Sequence, residues 1–361
     1  DILDSIAYEK GLKIDDVENA LKEALIKTAQ KMVDETLTFD ANIDRANKKL
    51  ELFQKIEVVS EDDERLNANA VNKYGEAINY ENFITLEEAK EIDPDLEIGD
   101  FMNYDLEFEN MGRNAATILH SNFEYRLQRF IEENLVSKYK DKVGKTIAGT
   151  VTRIDRQENT FIEIGEVKGI LQRKSRIKGE TFKVGDVVKA IVKGVNIDKI
   201  NGLLIDISRT SPKFLENLLI LEVPELKDKK VNIEASARIP GTRSKIALST
   251  IDAQIDPIGS VVGVKGVRIG SVSKQLNGEN IDCVEFSTIP EMFISRALSP
   301  ALVNSVKIEK HPSYGEKGKA IVTIPSDQKS KAIGKAGLNI RLASMLTKYD
   351  IELIEIASVN S

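Results

Sequence analysis

Asp256-Pro257-Ile258-Gly259-Ser260-Val261-Val262-Gly263-Val264-Lys265-Gly266-Val267-Arg268-Ile269 is matched in plan by Lys331-Ala332-Ile333-Gly334-Lys335-Ala336-Gly337-Leu338-Asn339-Ile340-Arg341-Leu342-Ala343. In each, a Gly-x-x-Gly loop holding a lysine parts two apolar-periodic runs, and an arginine follows shortly after. Asp256-Pro257 reads as a helix N-cap followed by proline at the first helical position. Beyond the loop, helical periodicity runs from Val267 to Leu276 and stops at Asn277-Gly278. A strand-like run, Ile281 to Phe286, closes the unit. The second copy starts at Ser326-Asp327, passes through a helix from Leu338 to Lys348 and closes on Ile351 to Ile356, which alternates as a strand. The two loops start 71 residues apart.

Such a loop suits an anion. Glycine lets a phosphate come within hydrogen-bond distance of main-chain N–H groups. The helix that follows aims its N-terminus at the same place. Spacing alone carries little weight, because 22 glycines in 361 residues yield about one such pair by chance. A third copy, Gly315-Glu316-Lys317-Gly318, lies between the strand-like runs Ser305–Lys310 and Lys319–Ile324 and reads as a hairpin turn. The helical context of the other two resembles that of KH domains, whose GXXG loop clamps about four nucleotides of single-stranded nucleic acid.

Charge divides the chain. Residues 1–140 carry 17 basic against 32 acidic side chains, and residues 141–361 carry 34 against 26. The resulting balances, −15 and +8, assign nucleic-acid binding to the second part and a protein partner to the first. The length suits two to four domains. No segment approaches the ~18 uninterrupted apolar residues of a membrane span, and no secretory pattern is seen at the start. A single cysteine, Cys283, in an apolar strand, excludes an internal disulfide framework and reads as a small buried hydrophobe. His120 and His311 are far apart and lack a cysteine cluster, so no zinc site is expected. The chain is therefore expected in the cytoplasm, without metal or other cofactor.

The N-terminal part begins helix-like at Ile2-Leu3-x-x-Ile6. It resumes at Asp15, whose Asp15…Glu18 spacing resembles a capping box. Val17, Leu21, Ala24, Leu25, Thr28 and Met32 share one helical face. Thr36 to Asp44 and Leu50 to Ser60 alternate like paired strands. Glu61-Asp62-Asp63-Glu64 reads as a surface loop, since four consecutive carboxylates cannot converge on one ion. Residues 113–138 form an amphipathic connecting helix.

From Val143 to Ser208 short strands recur: Thr146–Ile154, Thr160–Ile164, Gly169–Leu171, Val187–Val195 and Leu203–Ile207. Five strands in about 65 residues suit a closed OB-type barrel. Gly144-Lys145-Thr146 looks like the end of a P-loop, but Tyr139 stands where that motif needs glycine. The barrel resembles an S1 motif through Gly149-Thr150-Val151-Thr152-Arg153-Ile154, Phe161-Ile162-Glu163-Ile164 and Lys168-Gly169-Ile170-Leu171. Such barrels stack bases on aromatics and hold the backbone with basic residues. Phe161 is the platform candidate here, and Gln157 and Gln172 stand near where many S1 domains have an aromatic and a histidine. Arg153, Arg156, Arg173, Lys174 and Arg176 supply weak electrostatic contact.

The order of acidic domain, S1 barrel, KH and KH resembles the NusA family of bacterial transcription elongation and termination factors. The likeness is close at Ser208-Arg209-Thr210-Ser211-Pro212, Leu221-Glu222-Val223-Pro224-Glu225-Leu226, Ala237 to Ala247 and Ala297-Leu298-Ser299-Pro300-Ala301. It implies a multidomain α+β chain with an α/β polymerase-binding domain over 1–140, an S1 barrel over 141–208, and KH domains over 209–287 and 288–361. It implies a monomeric, non-enzymatic factor that binds RNA polymerase and nascent single-stranded RNA and acts with other Nus-type antitermination factors. Pausing, termination and antitermination are what it would modulate. The residues expected to touch RNA are Gly263, Val264, Lys265, Gly266, Arg268, Gly334, Lys335, Ala336, Gly337, Asn339, Arg341, Arg153, Phe161 and Arg173. Glu109-Asn110 stands where many members carry Gly-Arg, which leaves Arg113 as a nearby substitute facing exiting RNA. The other readings are an RNA-processing enzyme with accessory S1 and KH units, and a ribosome-associated RNA binder. The first needs a large catalytic core, for which about 140 residues remain; the second sits poorly with an acidic domain, since a ribosomal surface is largely anionic.

Overall fold

The computed structural model describes residues 2–198 and 200–357, and the chain divides into two compact units between Ser137 and Lys138. In the first unit, α1 (Ile2–Lys10) and α2 (Ile14–Met32) lead into β1 (Phe39–Asp44) and β2 (Lys49–Val59), which pair antiparallel. Next come β3 (Phe83–Thr85), α3 (Leu86–Ile92) and β4 (Phe101–Leu106), with β3 parallel and β4 antiparallel to β2. The helix α4 (Ala115–Lys140) follows. Small residues let α2 bury two faces. Val17 and Ala20 pack with Ala7, Leu12 and Leu127, while Leu25 and Ala29 pack with Phe39, Ala41 and Leu52 of the sheet.

Two local expectations fail in this unit. The capping box does not form: the N-cap is Lys13, which makes no side-chain cap. Asp15 and Glu18 fall inside the helix and both pair with Arg45 of the β1–β2 turn, a residue far along the chain that no local pattern reveals. The first strand starts at Phe39 rather than Thr36, because the Asp34 carboxylate accepts from the Thr36 amide and hydroxyl at 2.8 and 2.6 Å and turns the chain.

The second unit starts with five strands: β5 (Thr146–Ile154), β6 (Thr160–Ile164), β7 (Val167–Leu171), β8 (Val187–Asp198) and β9 (Gly202–Ser208). They close into a barrel in the order β5-β6-β7-β9-β8, so no edge is left to pair elsewhere. Then α5 (Pro212–Glu222) and α6 (Pro224–Lys227) precede β10 (Asn232–Ile239), β11 (Arg243–Ser249), α7 (Pro257–Val262), α8 (Val267–Gln275) and β12 (Asn280–Glu285). The strands form a sheet in which β11 pairs antiparallel with β10 and parallel with β12. A second sheet of the same pattern follows from α9 (Pro290–Ala297), β13 (Ser305–Lys310), β14 (Gly318–Pro325), α10 (Lys329–Ile333), α11 (Leu338–Thr347) and β15 (Tyr349–Ile356).

Strand β11 shows why these pieces form one body. Alternate side chains of a strand face opposite ways. Ile246 and Leu248 enter a core with Phe214, Leu215, Leu219, Val261 and Val272, joined by Ile177 and Ile191 of the barrel. Ala247, between them, enters the other core with Leu298, Leu342, Ala343 and Leu346 of the second sheet's layer. Both faces of the first sheet are thus covered.

Buried charge fastens the same junctions. Arg209 forks onto Glu180 at 2.7–3.2 Å and donates to the carbonyls of Lys189 (2.6 Å) and Gln275 (2.7 Å), joining the barrel to the end of α8. Arg238 and Glu279 pair at 2.8 Å with neither side chain exposed. Lys245, fully buried, donates to the Ser299 carbonyl at 2.9 Å, and its burial lowers its pKa to about 8.

Candidate nucleic-acid interface

Both loops fold onto the same backbone. Gly263 has φ 79° and ψ 173°, Lys265 has φ 56° and Gly266 has φ 73°. The corresponding values are 75° and 174° at Gly334, 56° at Ala336 and 73° at Gly337. The first glycine occupies a region closed to other residues. A Cβ there would stand 2.7 Å from Arg268 Cγ in one loop and 2.7 Å from Asn339 Cβ in the other. Its role is internal, since it lets the loop close onto the next helix. The last glycine is the N-cap of that helix, and a Cβ added to it would meet no atom within 4 Å. It faces open space, where a ligand can approach. Lys265 and Ala336 hold left-handed backbone despite carrying Cβ atoms, a strain of about 1–2 kcal/mol each.

Around this frame, Val264, Lys265, Lys335, Ala336 and Arg341 are exposed, and neither lysine nor Arg341 has an ion-pair partner among the described residues. Val264 and Val267 add exposed apolar surface at the first loop. The lysines do not superpose: Lys265 sits at the left-handed position, while Lys335 precedes it.

Two expected contacts belong to the fold instead. Arg268 lies against Gly263 and donates to Glu225 Oε2 and the Ser260 carbonyl, both at 2.7 Å, so its charge is used to tie α8 to α6 and α7. Asn339 is buried, and its Nδ2 donates to the carbonyls of Leu298, Lys331 and Ala332 at 3.0–3.2 Å. Its amide closes the end of α10 and the turn after α9, a role hidden by distance along the chain.

On the barrel, Arg153 lies over the Phe161 ring, 3.8 Å from its centroid, and Phe161 is only 7 % exposed. Phe161 is therefore not an open platform; the guanidinium already takes its face. Arg153 and Phe161 line a cleft of about 370 Å³ with Lys168 and Asn201, but Glu163 and Glu166 share it, which weakens any pull on phosphate. Arg173 is exposed, with Nε 3.0 Å from Glu158, a surface pair of little strength. Arg156 is exposed as well. In the first unit Arg113 is exposed, while Asn110 is engaged with Glu107 at 3.1 Å.

A groove beside the first loop is assembled from segments that local sequence pattern does not bring together. Ile258 and Val262 of α7, Ile281 and Cys283 of β12, and the Ser299-Pro300 turn enclose about 300 Å³. Arg243, held by Asp282 at 2.7 Å, stands at its rim. Cys283 lines this groove; burial, with Asp282 nearby, pushes its thiol up to about 12, so it stays protonated and unreactive. The period-2 alternation of β12 is the one local signal, and the groove's other walls come from α7 and a turn beyond α9. Among the described residues no group of three or more His, Cys, Asp and Glu could hold a metal ion, and no helix is long and apolar enough to cross a membrane.

Three stretches of the chain match models of known families. Residues 1–130 match the NusA N-terminal domain, 209–286 the NusA-like first KH domain and 290–361 the NusA-like second KH domain. A transcription termination/antitermination protein NusA of Helicobacter pylori is 42% identical over 99% of this chain and 92% of its own. That of Thermus thermophilus is 35% identical over 97% and 88%, and that of Bacillus subtilis 30% identical over 98% and 89%.

Proposed function

Because this chain belongs to the NusA family of transcription termination/antitermination proteins, we propose that it acts by binding rather than by catalysis, tethered to RNA polymerase while holding nascent RNA. The observation that carries the RNA part is the pair of GXXG loops. Both adopt the same strained, positive-φ backbone, and each offers an exposed lysine without an ion-pair partner among the described residues. Strain retained twice in the same form, at an exposed loop, points to use rather than to packing. The +8 balance beyond residue 140 supplies the long-range attraction for phosphate, and the groove of α7 and β12 offers apolar walls to a base. The −15 balance of residues 1–140 favours a protein contact over RNA for the first unit, with the exposed Arg113 as its touch point for RNA.

The site's use as a monomer, in the cytoplasm and beside other Nus-type factors, completes this reading. The test is transcription of a template carrying an intrinsic terminator by purified bacterial RNA polymerase. Wild-type protein should change the fraction of terminated transcripts. The fourfold variant V264D/K265D/K335D/A336D should lose most of that effect while still co-purifying with polymerase. A variant that retains full effect refutes the assignment of RNA to the loops.

A further inference from the structure

The third Gly-x-x-Gly sequence, which builds no clamp, shapes a different surface. Ser313 and Glu316 exchange backbone hydrogen bonds of 3.2 and 3.0 Å, leaving Tyr314-Gly315 as a two-residue turn with Gly315 at φ 78°. At its base a Cβ on Gly318 would fall 2.5 Å from the Lys310 carbonyl and 2.7 Å from the Tyr349 ring. Tyr349 in turn is hydrogen-bonded to His311 at 3.1 Å. The hairpin between β13 and β14 is thus pinned, and it projects Tyr314 fully exposed at its apex.

Between this apex and the end of α11 lies a cleft of about 570 Å³ lined by Pro312, Tyr314, Glu316, Lys317, Met345 and Lys348. Its charged lining holds two lysines against one carboxylate, a net positive balance. Glu316 is drawn to Lys310 at 2.8 Å, whereas Lys317 is steadied by the Ser344 hydroxyl at 3.2 Å and Lys348 is exposed. An open aromatic face on a pinned hairpin, sharing a cleft with two cations, is the chemistry of a single-stranded nucleic-acid platform: the ring takes a base of any identity and the cations take the backbone. The position suits it. The ten-residue α11 has the Gly334–Gly337 loop at its start and this cleft at its end, a separation of about 15 Å.

We propose that the β13–β14 hairpin is a further RNA contact, in which a base stacks on Tyr314 and its phosphates meet Lys317 and Lys348. It extends the strand held at the second loop, and so rests on the reading of that loop as an RNA clamp. The chain contains no tryptophan, so Y314W provides a lone indole at the apex. The full-length Y314W protein would be titrated with a 12-nucleotide oligoadenylate, with binding followed in parallel by anisotropy of labelled RNA. Indole emission should fall in step with binding. Y314A should weaken the 12-mer by roughly five- to tenfold, as expected for losing one stacked base, and Y314F should restore it. Neither should change binding of a 4-mer, which one loop can hold.

Unquenched indole at saturating RNA, or Y314A equal to wild type on the 12-mer, overturns the proposal. K335D/A336D separates it from the clamp reading. If that variant loses affinity while Y314A does not, the clamp stands and the hairpin contact falls. If it binds as wild type while the indole is quenched, the clamp falls and the hairpin contact stands. Quenching by RNA polymerase and not by RNA assigns the hairpin to a protein and overturns the proposal.

Discussion

The double substitution K335D/A336D offers a test of the clamp whose size can be worked from the structure. Both positions are exposed, and Ala336 already holds φ 56°, a conformation that aspartate tolerates better than most residues. Folding should therefore change by no more than about 0.5 kcal/mol. Binding should change far more. Lys335→Asp swings the loop by two charges and Ala336→Asp by one. A unit charge about 4 Å from a phosphate in water is worth roughly 1 kcal/mol, and salt at ~0.15 M trims that. A loss of about 2 kcal/mol remains, or roughly 30-fold in Kd. The assay is anisotropy of a labelled ~10-nucleotide RNA at several salt concentrations, with circular dichroism as the control on folding. The log–log salt slope should also shrink by about 0.7 for each phosphate of a single strand that the protein no longer neutralises. Unchanged affinity and slope in a natively folded variant refutes the clamp.

A fragment spanning 138–361 should bind that RNA more tightly than the full chain at low salt, because residues 1–137 are strongly acidic; the difference should fade as salt rises, and equal affinities at all salts would rule out repulsion by the acidic unit. Arg238→Met should cost about 3–5 kcal/mol in urea unfolding by leaving Glu279 charged and buried without its partner, whereas R238M/E279M should cost much less than the two single changes added together. Lys245 gives a pH dependence of defined sign. Its folded pKa of about 8 lies below the unfolded 10.5, so between those values the unfolded chain binds more protons and this residue's contribution to stability rises with pH. The difference in unfolding free energy between wild type and K245M should therefore shift in favour of wild type from about pH 7.5 to about pH 9.5, by a few kcal/mol at most, and a flat difference would contradict the depressed pKa.

Several elements are legible in the sequence because their causes are local. Proline and glycine punctuation at Asp256-Pro257 and Asn277-Gly278 marks helix ends that the structure places at Pro257 and Gln275. Alternation marks the barrel strands, with Thr146–Ile154 and Thr160–Ile164 found as expected. The hairpin expected at Gly315–Gly318 is equally local, although its turn falls at Tyr314-Gly315 and Gly318 already opens β14. Residues 83–106 carry no such signal: β3 is three residues long and β4 lies mostly exposed, so neither has a clear apolar period, and pairing with β2 is what holds them straight.

Short-range order, then, is settled by the chain itself: which residues turn, which run extended, where glycine permits a left-handed loop, and which part repels phosphate. Tertiary structure alone decides how each side chain is used. Arg268 and Asn339 carry N–H donors as Lys335 and Arg341 do, but the first two meet carbonyls and a carboxylate brought from 7 to 43 residues away, and the last two meet solvent. Phe161 gives up its open face to Arg153 across a strand pair, and Cys283 gains a groove whose walls come from three elements. The physical reason is range. Backbone propensity acts over a few residues, whereas a buried hydrogen-bonding group must find its partner wherever the fold sets one within about 3 Å.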